Sequence, residues 1–164
     1  MENANAVVEI WPVAADEHGI WLVSGQDAWR SPPIPADSEP HWEVSLILAS
    51  QNESDPALLH STSWRPDGPT IVLTYIAVLP CDGLVLDQWP HAQPISADLL
   101  PAVGNPLPHG AAEVPVPRYI DVLFHALRHC RFLLDTDATA RDVLAGHWTT
   151  HLRMLEPALS GMYQ

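Results

Sequence analysis

Residues 58–79, LLHSTSWRPDGPTIVLTYIAVL, decide the fold. Two extended runs flank Pro66-Asp67-Gly68-Pro69, a cluster of turn formers, so the stretch reads as a β-hairpin. The second run, Thr70 to Leu79, is apolar on both faces. Ile71, Leu73, Tyr75, Ala77 and Leu79 lie on one, and Val72, Ile76 and Val78 on the other. A strand buried on both sides belongs at the centre of a sheet covered by helices. The first run, His60-Ser61-Thr62-Ser63-Trp64-Arg65, is polar. It reads either as an edge strand facing water or as a cavity wall of hydroxyls.

Upstream, Ala6 to Val13 reads as a strand with Pro12 near its end, and Ile20 to Val23 as a second strand across the turn Asp16-Glu17-His18-Gly19. Trp29 to Pro35 is too proline-rich for regular structure. Asp37-Ser38-Glu39-Pro40 is a helix start, and a helix is expected over 40–51 with Trp42, Val44, Leu46, Ile47 and Leu48 as its bulk. Downstream, Leu84 to Leu86 reads as a short strand, Ser96 to Leu100 as one helical turn and 101–117 as a proline-rich loop. Three helices follow, over 117–134, 138–145 and 147–156. The first carries an apolar stripe of Ile120, Leu123, Phe124, Leu127, Cys130 and Leu134. The expected fold is α+β: a mixed central sheet between helical layers, with a C-terminal helical segment. One domain over 1–164 is expected, its β-rich part at 1–117 and the C-terminal helices, 118–164, packed on it.

The 164 residues carry seven Arg, no Lys and twenty Asp or Glu, a net charge of −13. Residues 1–117 hold only Arg30 and Arg65 against fifteen acids, whereas 118–164 balance five Arg with five acids. Such a chain lacks the basic surface that nucleic-acid binding needs. Acidity of this kind serves solubility, or a cation or a basic protein partner. No apolar run approaches the ~20 residues of a membrane span. The start, MENANAVVEIW, lacks the basic region of a secretory signal, and Cys81 and Cys130 are isolated. A cytoplasmic location follows as the expectation. The Lys-free, Ala- and Pro-rich composition suggests a GC-rich, bacterial-like coding sequence.

The order of elements resembles the Nudix fold over residues 6–134. The carriers are AVVEIWPVAADEHGIWLV (6–23), Trp29-Arg30-Ser31-Pro32-Pro33, the helix at 40–51, the hairpin at 58–79 and the segment 93–100. Active Nudix hydrolases carry GX5EX7REUXEEXGU, whose glutamates hold Mg²⁺. Here Leu48-Ala49-Ser50-Gln51-Asn52-Glu53 stands where REUXEE falls in that family. Glu43 and Glu53, ten residues apart, point about 80° away from each other on the helix, so no carboxylate cluster forms. The resemblance therefore implies a divergent, non-catalytic member with no catalytic residues and no expected Mg²⁺. Its implied role is binding a nucleotide-like small molecule through aromatic stacking, or regulation. Two further readings are an acidic protein–protein interaction module, with a homodimer possible, and a His-dependent metalloenzyme or divergent hydrolase.

The candidate ligand residues are Trp29, His60, Ser61, Ser63, Trp64, Arg65 and Arg131. Trp29, Trp64 and Trp89 stand beside turns or polar residues, where an indole is placed to stack on a planar ligand. Arg131 falls inside the apolar stripe, where a guanidinium needs either an internal carboxylate or an anionic ligand. Trp11, Trp21 and Trp42 are assigned to the core or its edge. His60, Ser61 or Ser63, and Asp67 form a triad only on paper, because no nucleophile-elbow motif accompanies them. His125/His129 and His147/His151 are i, i+4 pairs with chelating spacing. The alternative for both pairs is solvated or locally hydrogen-bonded imidazole, and Arg118 beside the first pair repels a cation.

Overall fold

A computed structural model describes residues 4–95 and 119–157. The chain divides into two compact units, Met1–Pro94 and Ile95–Gln164. The first unit holds a seven-stranded mixed sheet, with the path β5-β6-β1-β2-β7. Its strands are β1 (Asn5–Asp16), β2 (Gly19–Leu22), β3 (Trp29–Arg30), β4 (Ile34–Pro35), β5 (Leu58–Asp67), β6 (Thr70–Val78) and β7 (Gln93–Pro94). Helix α1 (Pro40–Ser50) joins β4 to β5, and the short α2 (Val85–Gln88) follows β6. The α+β class is the one expected.

The hairpin forms as its residues dictate. Gly68 and Pro69 are the two loop residues between Asp67 and Thr70. Gly68 has φ +59°, as a type II′ turn needs at its first central position. The apolar β6 pairs parallel with β1 along its whole length, from Asn5 opposite Thr70 to Val13 opposite Val78. β1 is thus flanked on both sides, and Val8, Ile10, Val13 and Ala14 are fully buried. The polar β5 forms the edge of the sheet. A bulge between Ser61 and Ser63 interrupts its register with β6.

Several local expectations are corrected. Pro12 lies well inside β1, which runs on to Asp16. It is tolerated because β1 changes partner there, from β3 at Glu9–Ile10 to β2 at Val13–Asp16. The Pro12 carbonyl accepts from Val23 N–H at 2.9 Å, next to the last β1–β2 pair, Val13 opposite Leu22. The segment Trp29 to Pro35 does contribute strands, each cut to two residues around Pro32-Pro33. Ser31 bridges them, donating its N–H to the Val8 carbonyl at 2.9 Å and accepting Val8 N–H on Oγ at 3.0 Å. Of the expected strand Leu84–Leu86 only the extended N-cap residue Leu84 is not helical; Val85 and Leu86 begin α2, where the Asp16 carboxylate accepts Val85 N–H at 2.9 Å from 69 residues away. Helix α1 starts at Pro40 as expected, yet Glu39 is its N-cap residue and no side chain caps it.

Against the sheet, α1 places Val44, Ile47 and Leu48 in a cluster with Val8, Ile10, Ala77 and Leu79. Leu59, Leu73, Tyr75, Trp21, Trp29 and Trp89 pack on its margin. The space between α1 and the hairpin is therefore filled by side chains.

The second unit contains α3 (Tyr119–Thr136), α4 (Ala138–Val143) and α5 (His147–Leu152). Leu123, Phe124, Leu127, Cys130 and Leu134 are buried, as the stripe predicts. The Ile120 side chain, the turn at 96–100 and the loop at 101–117 lie outside the described residues. Asp137 caps α4, its carboxylate accepting Ala140 N–H at 2.8 Å. Gly146, at φ +69°, separates α4 from α5.

Candidate functional site

Alternation along the strands sorts the side chains of the first unit. Val8 and Ile10 face α1, so Glu9 between them points to the opposite face of the sheet. Glu9 is fully buried, and both arginines of the acidic N-terminal part converge on it. Its Oε2 accepts from Arg30 Nε at 2.9 Å and from Arg65 Nη2 at 2.9 Å. Its Oε1 accepts from Trp11 Nε1 at 2.9 Å and from Arg65 Nη1 at 3.1 Å. The same Arg65 nitrogen reaches Thr74 Oγ1 at 3.0 Å. Burial alone pushes the Glu9 carboxyl up, but the hydrogen bonds and charges of Arg65 and Arg30 outweigh it and hold the group below its ordinary value. The carboxylate is fully coordinated by its own chain.

Asp16 is treated in the same way at the other end of β1. It is buried and accepts from Val85 N–H, from His18 N–H at 2.9 Å and from Trp21 Nε1 at 3.0 Å. Burial again opposes its ionisation, and these hydrogen bonds again prevail and lower its pKa.

This inward pull on Arg65 fixes its neighbour. With Arg65 on the Glu9 face, Trp64 lies on the α1 face, opposite Leu73, and is 68% exposed. On α1, Val44, Ile47 and Leu48 point inward, while Trp42, Ser45, Leu46 and Ala49 form an outward arc about 100° wide. Trp42 is 70% exposed and Leu46 62%. The expected core role of Trp42 is therefore corrected: the wheel places it opposite the three buried residues. β4 runs towards the Asn5 end of β1, so the first turn of α1 starts there. The hairpin tip lies at that same end, because Asn5 pairs with Thr70. Trp42 and Trp64 thus share one face and one end of the sheet.

The predicted ligand residues sit on β3, β5 and α3. Trp29 packs on the core margin, and His60 Nδ1–H donates to the Ser61 carbonyl at 2.8 Å. Ser61 is exposed and Ser63 partly buried on the edge strand. Arg65 belongs to Glu9. Arg131 lies in the other unit, where it pairs with Asp135, one turn along α3, at 2.5 Å. That contact is an ion pair rather than an aligned hydrogen bond. His129 is buried and stacks on Phe132, with 6.2 Å between ring centroids, so a solvated imidazole is not what this position holds. His125 and His151 are partly buried and His147 is exposed. Among the described residues no three His, Cys, Asp or Glu side chains come together to hold a metal. Cys81 and Cys130 are free thiols, and burial pushes that of Cys130 up to about 12. Burial likewise raises Cys81, with Asp16, Asp82 and Asp87 adding to the effect. Neither has the lowered pKa that activates a nucleophile.

A depression of about 620 Å³ in the second unit is lined by Asp135, Arg141, Asp142, Thr149 and Arg153, among others. Arg141 spends its N–H groups on the Leu134 and Asp135 carbonyls, both at 3.2 Å, and Thr149 Oγ1 donates to the Leu144 carbonyl at 2.6 Å. Two Arg offset two Asp around its wall, which gives it no preferred ligand charge.

Sequence reasoning missed the roles of Glu9, Asp16 and Leu46. Only Leu46 was within its reach, since the helical wheel separates Trp42 and Leu46 from Val44, Ile47 and Leu48. Comparisons with protein-family models, with curated proteins and with solved structures find no match.

Proposed function

We propose that this chain is a non-catalytic protein-interaction module whose partner docks on the outward face of α1. The observation that carries the reading is the exposure of Trp42 and Leu46, one turn apart, on a helix whose opposite side is already packed. A helix that is apolar all round normally buries its whole circumference. Trp64 is a third large exposed apolar side chain, on the sheet face that α1 covers and at the end of the sheet where α1 begins. Covering the three removes on the order of 400 Å² of apolar surface, the size of patch that marks interaction sites. At 25 cal/mol per Å² that is about 10 kcal/mol gross, comparable with the entropic cost of association. Contacts around these anchors then set the net affinity.

The side chains that carry chemistry support the same reading. Glu9, Asp16, Arg65 and Arg131 have partners within the chain. The volume between α1 and the hairpin is filled. The test is site-specific photo-crosslinking in the native host, with a photoreactive residue at position 42, 46 or 17. Glu17 is an exposed control on the β1–β2 turn. Discrete adducts of one partner mass are expected from 42 and 46 and not from 17. No adduct at 42 and 46, or the same adducts from all three sites, overturns the proposal.

A further inference from the structure

Resting on that reading, we infer that the occupant of the α1 face is a cationic amphipathic helix of a partner protein, an apolar stripe flanked by Arg or Lys. Three properties of the surface select it.

The first is shape. The outward arc alternates large and small side chains, Trp42 and Leu46 against Ser45 and Ala49. The rows 42–46 and 45–49 follow i, i+4 spacing, so a groove runs between them. Ridges of a second helix fit such a groove.

The second is charge. From residue 31 to residue 64 the chain carries Asp37, Glu39, Glu43, Glu53 and Asp55, with no Arg or Lys. The basic residues that flank this segment in the sequence, Arg30 and Arg65, are turned to the opposite face of the sheet by Glu9. Among the described residues of this segment the charged rim of the stripe is acidic, with Glu39 at the N-cap of α1 and Glu43 in its first turn. A second copy of this chain would set that rim, and a net −13, against itself. An anionic lipid surface would repel it in the same way. A basic flank on the partner is attracted and steered.

The third is the neighbouring sheet edge. β5 offers ten residues of edge backbone, the usual template for an added strand. Here the bulge at Ser61–Ser63, Pro66 within the strand and the inward Arg65 all disfavour strand addition. The helix face is left as the place to dock.

The experiment uses the full chain and two labelled 18-residue helical peptides with the same leucine stripe, one flanked by Arg and the other by Glu. Fluorescence anisotropy is expected to show the Arg-flanked peptide binding at least tenfold tighter. That binding is expected to fall at least tenfold in Trp42→Ala and in Leu46→Ala, and to weaken steadily from 50 to 500 mM NaCl. Both variants are expected to keep the wild-type melting temperature, so a loss is one of contact. Equal binding of the two peptides overturns the inference, as does Arg-peptide binding that ignores both substitutions. A concentration-dependent dimer abolished by Leu46→Ala also overturns it, by assigning the face to a second copy. Crosslinks at 42 and 46 that persist in any of these cases leave the docking face standing with a different occupant. Their absence removes the docking face as well.

Discussion

Glu9 and Trp42 stand at two ends of one comparison: a carboxylate sealed inside the sheet, and an indole held in water. Each inverts the usual placement of its side-chain type. The difference lies in what surrounds them. Glu9 receives hydrogen bonds from Trp11, Arg30 and Arg65, so its burial is compensated within the chain. Trp42 and Leu46 are exposed although the far side of the same helix is packed to completion. Folding accounts for the first inversion and not for the second. A polar group buried with its partners is architecture; an apolar group exposed on an otherwise packed helix is the observation on which the proposed docking face rests.

The largest expected effect breaks the buried side of the comparison. Glu9→Gln removes the buried countercharge of Arg65 and of the half-exposed Arg30. Removing one member of a buried ion pair is strongly destabilising, and about 3 kcal/mol is expected here, a fall in melting temperature on the order of 10 °C. Urea denaturation measures it, and a loss below about 0.5 kcal/mol, the scale of a surface substitution, would mean that Glu9 is no anchor. The pH dependence carries the same sign. The Glu9 carboxyl is held below its ordinary 4.5, so its contribution is complete above pH 4.5 and is lost as pH falls through the folded-state value. The wild-type acid limb is expected to be steeper than that of Glu9→Gln.

A smaller effect is expected at Asp16, which accepts from the N–H groups of Val85, His18 and the Trp21 indole. Asp16→Asn replaces one acceptor oxygen by an NH₂ group that meets either Val85 N–H or the two donors His18 N–H and Trp21 Nε1. Stranding a buried donor costs about 1–3 kcal/mol. The amide of Val85 should lose protection in hydrogen exchange while the β1–β6 ladder keeps its own. Equal loss in both places would show that Asp16 supports the whole sheet rather than α2.

These two anchors also mark where sequence reasoning stops. The hairpin at 58–79 is legible because turn chemistry and strand patterning are local: Gly68 supplies the positive φ, and β6 is apolar on both faces. The long helix α3 is legible for the same reason, through its 3.6-residue period. The parallel pairing of β1 with β6 joins residues 65 apart, and nothing in either strand announces its partner. Without that pairing Pro12 looks like a strand end, although it sits harmlessly where β1 exchanges β3 for β2. Leu84–Leu86 looks like a strand for a similar reason, since its cap lies 69 residues away. At the candidate site, bulk was mistaken for burial. Trp42 is large and apolar, and only its angular position on α1 separates it from the core.

The smallest expected effect on stability tests the exposed side of the comparison most sharply. Leu46→Ala removes apolar surface that is already in water, so little transfer free energy changes and no cavity forms. Alanine also has a slightly higher helix propensity than leucine. The substitution should therefore leave unfolding free energy within about 0.5 kcal/mol of wild type. Trp42→Ala in the first turn should behave alike. Their buried neighbours on the same helix should not: Ile47→Ala, two positions from Ser45 and facing the sheet, is expected to cost about 2–5 kcal/mol. Parallel urea titrations of Leu46→Ala and Ile47→Ala make the contrast within a single turn. If Leu46→Ala proves as costly as Ile47→Ala, the outward face of α1 belongs to the folded core and the reading of it as a docking surface falls. If only Ile47→Ala is costly, Leu46 is dispensable for folding, and its side chain is available for recognition.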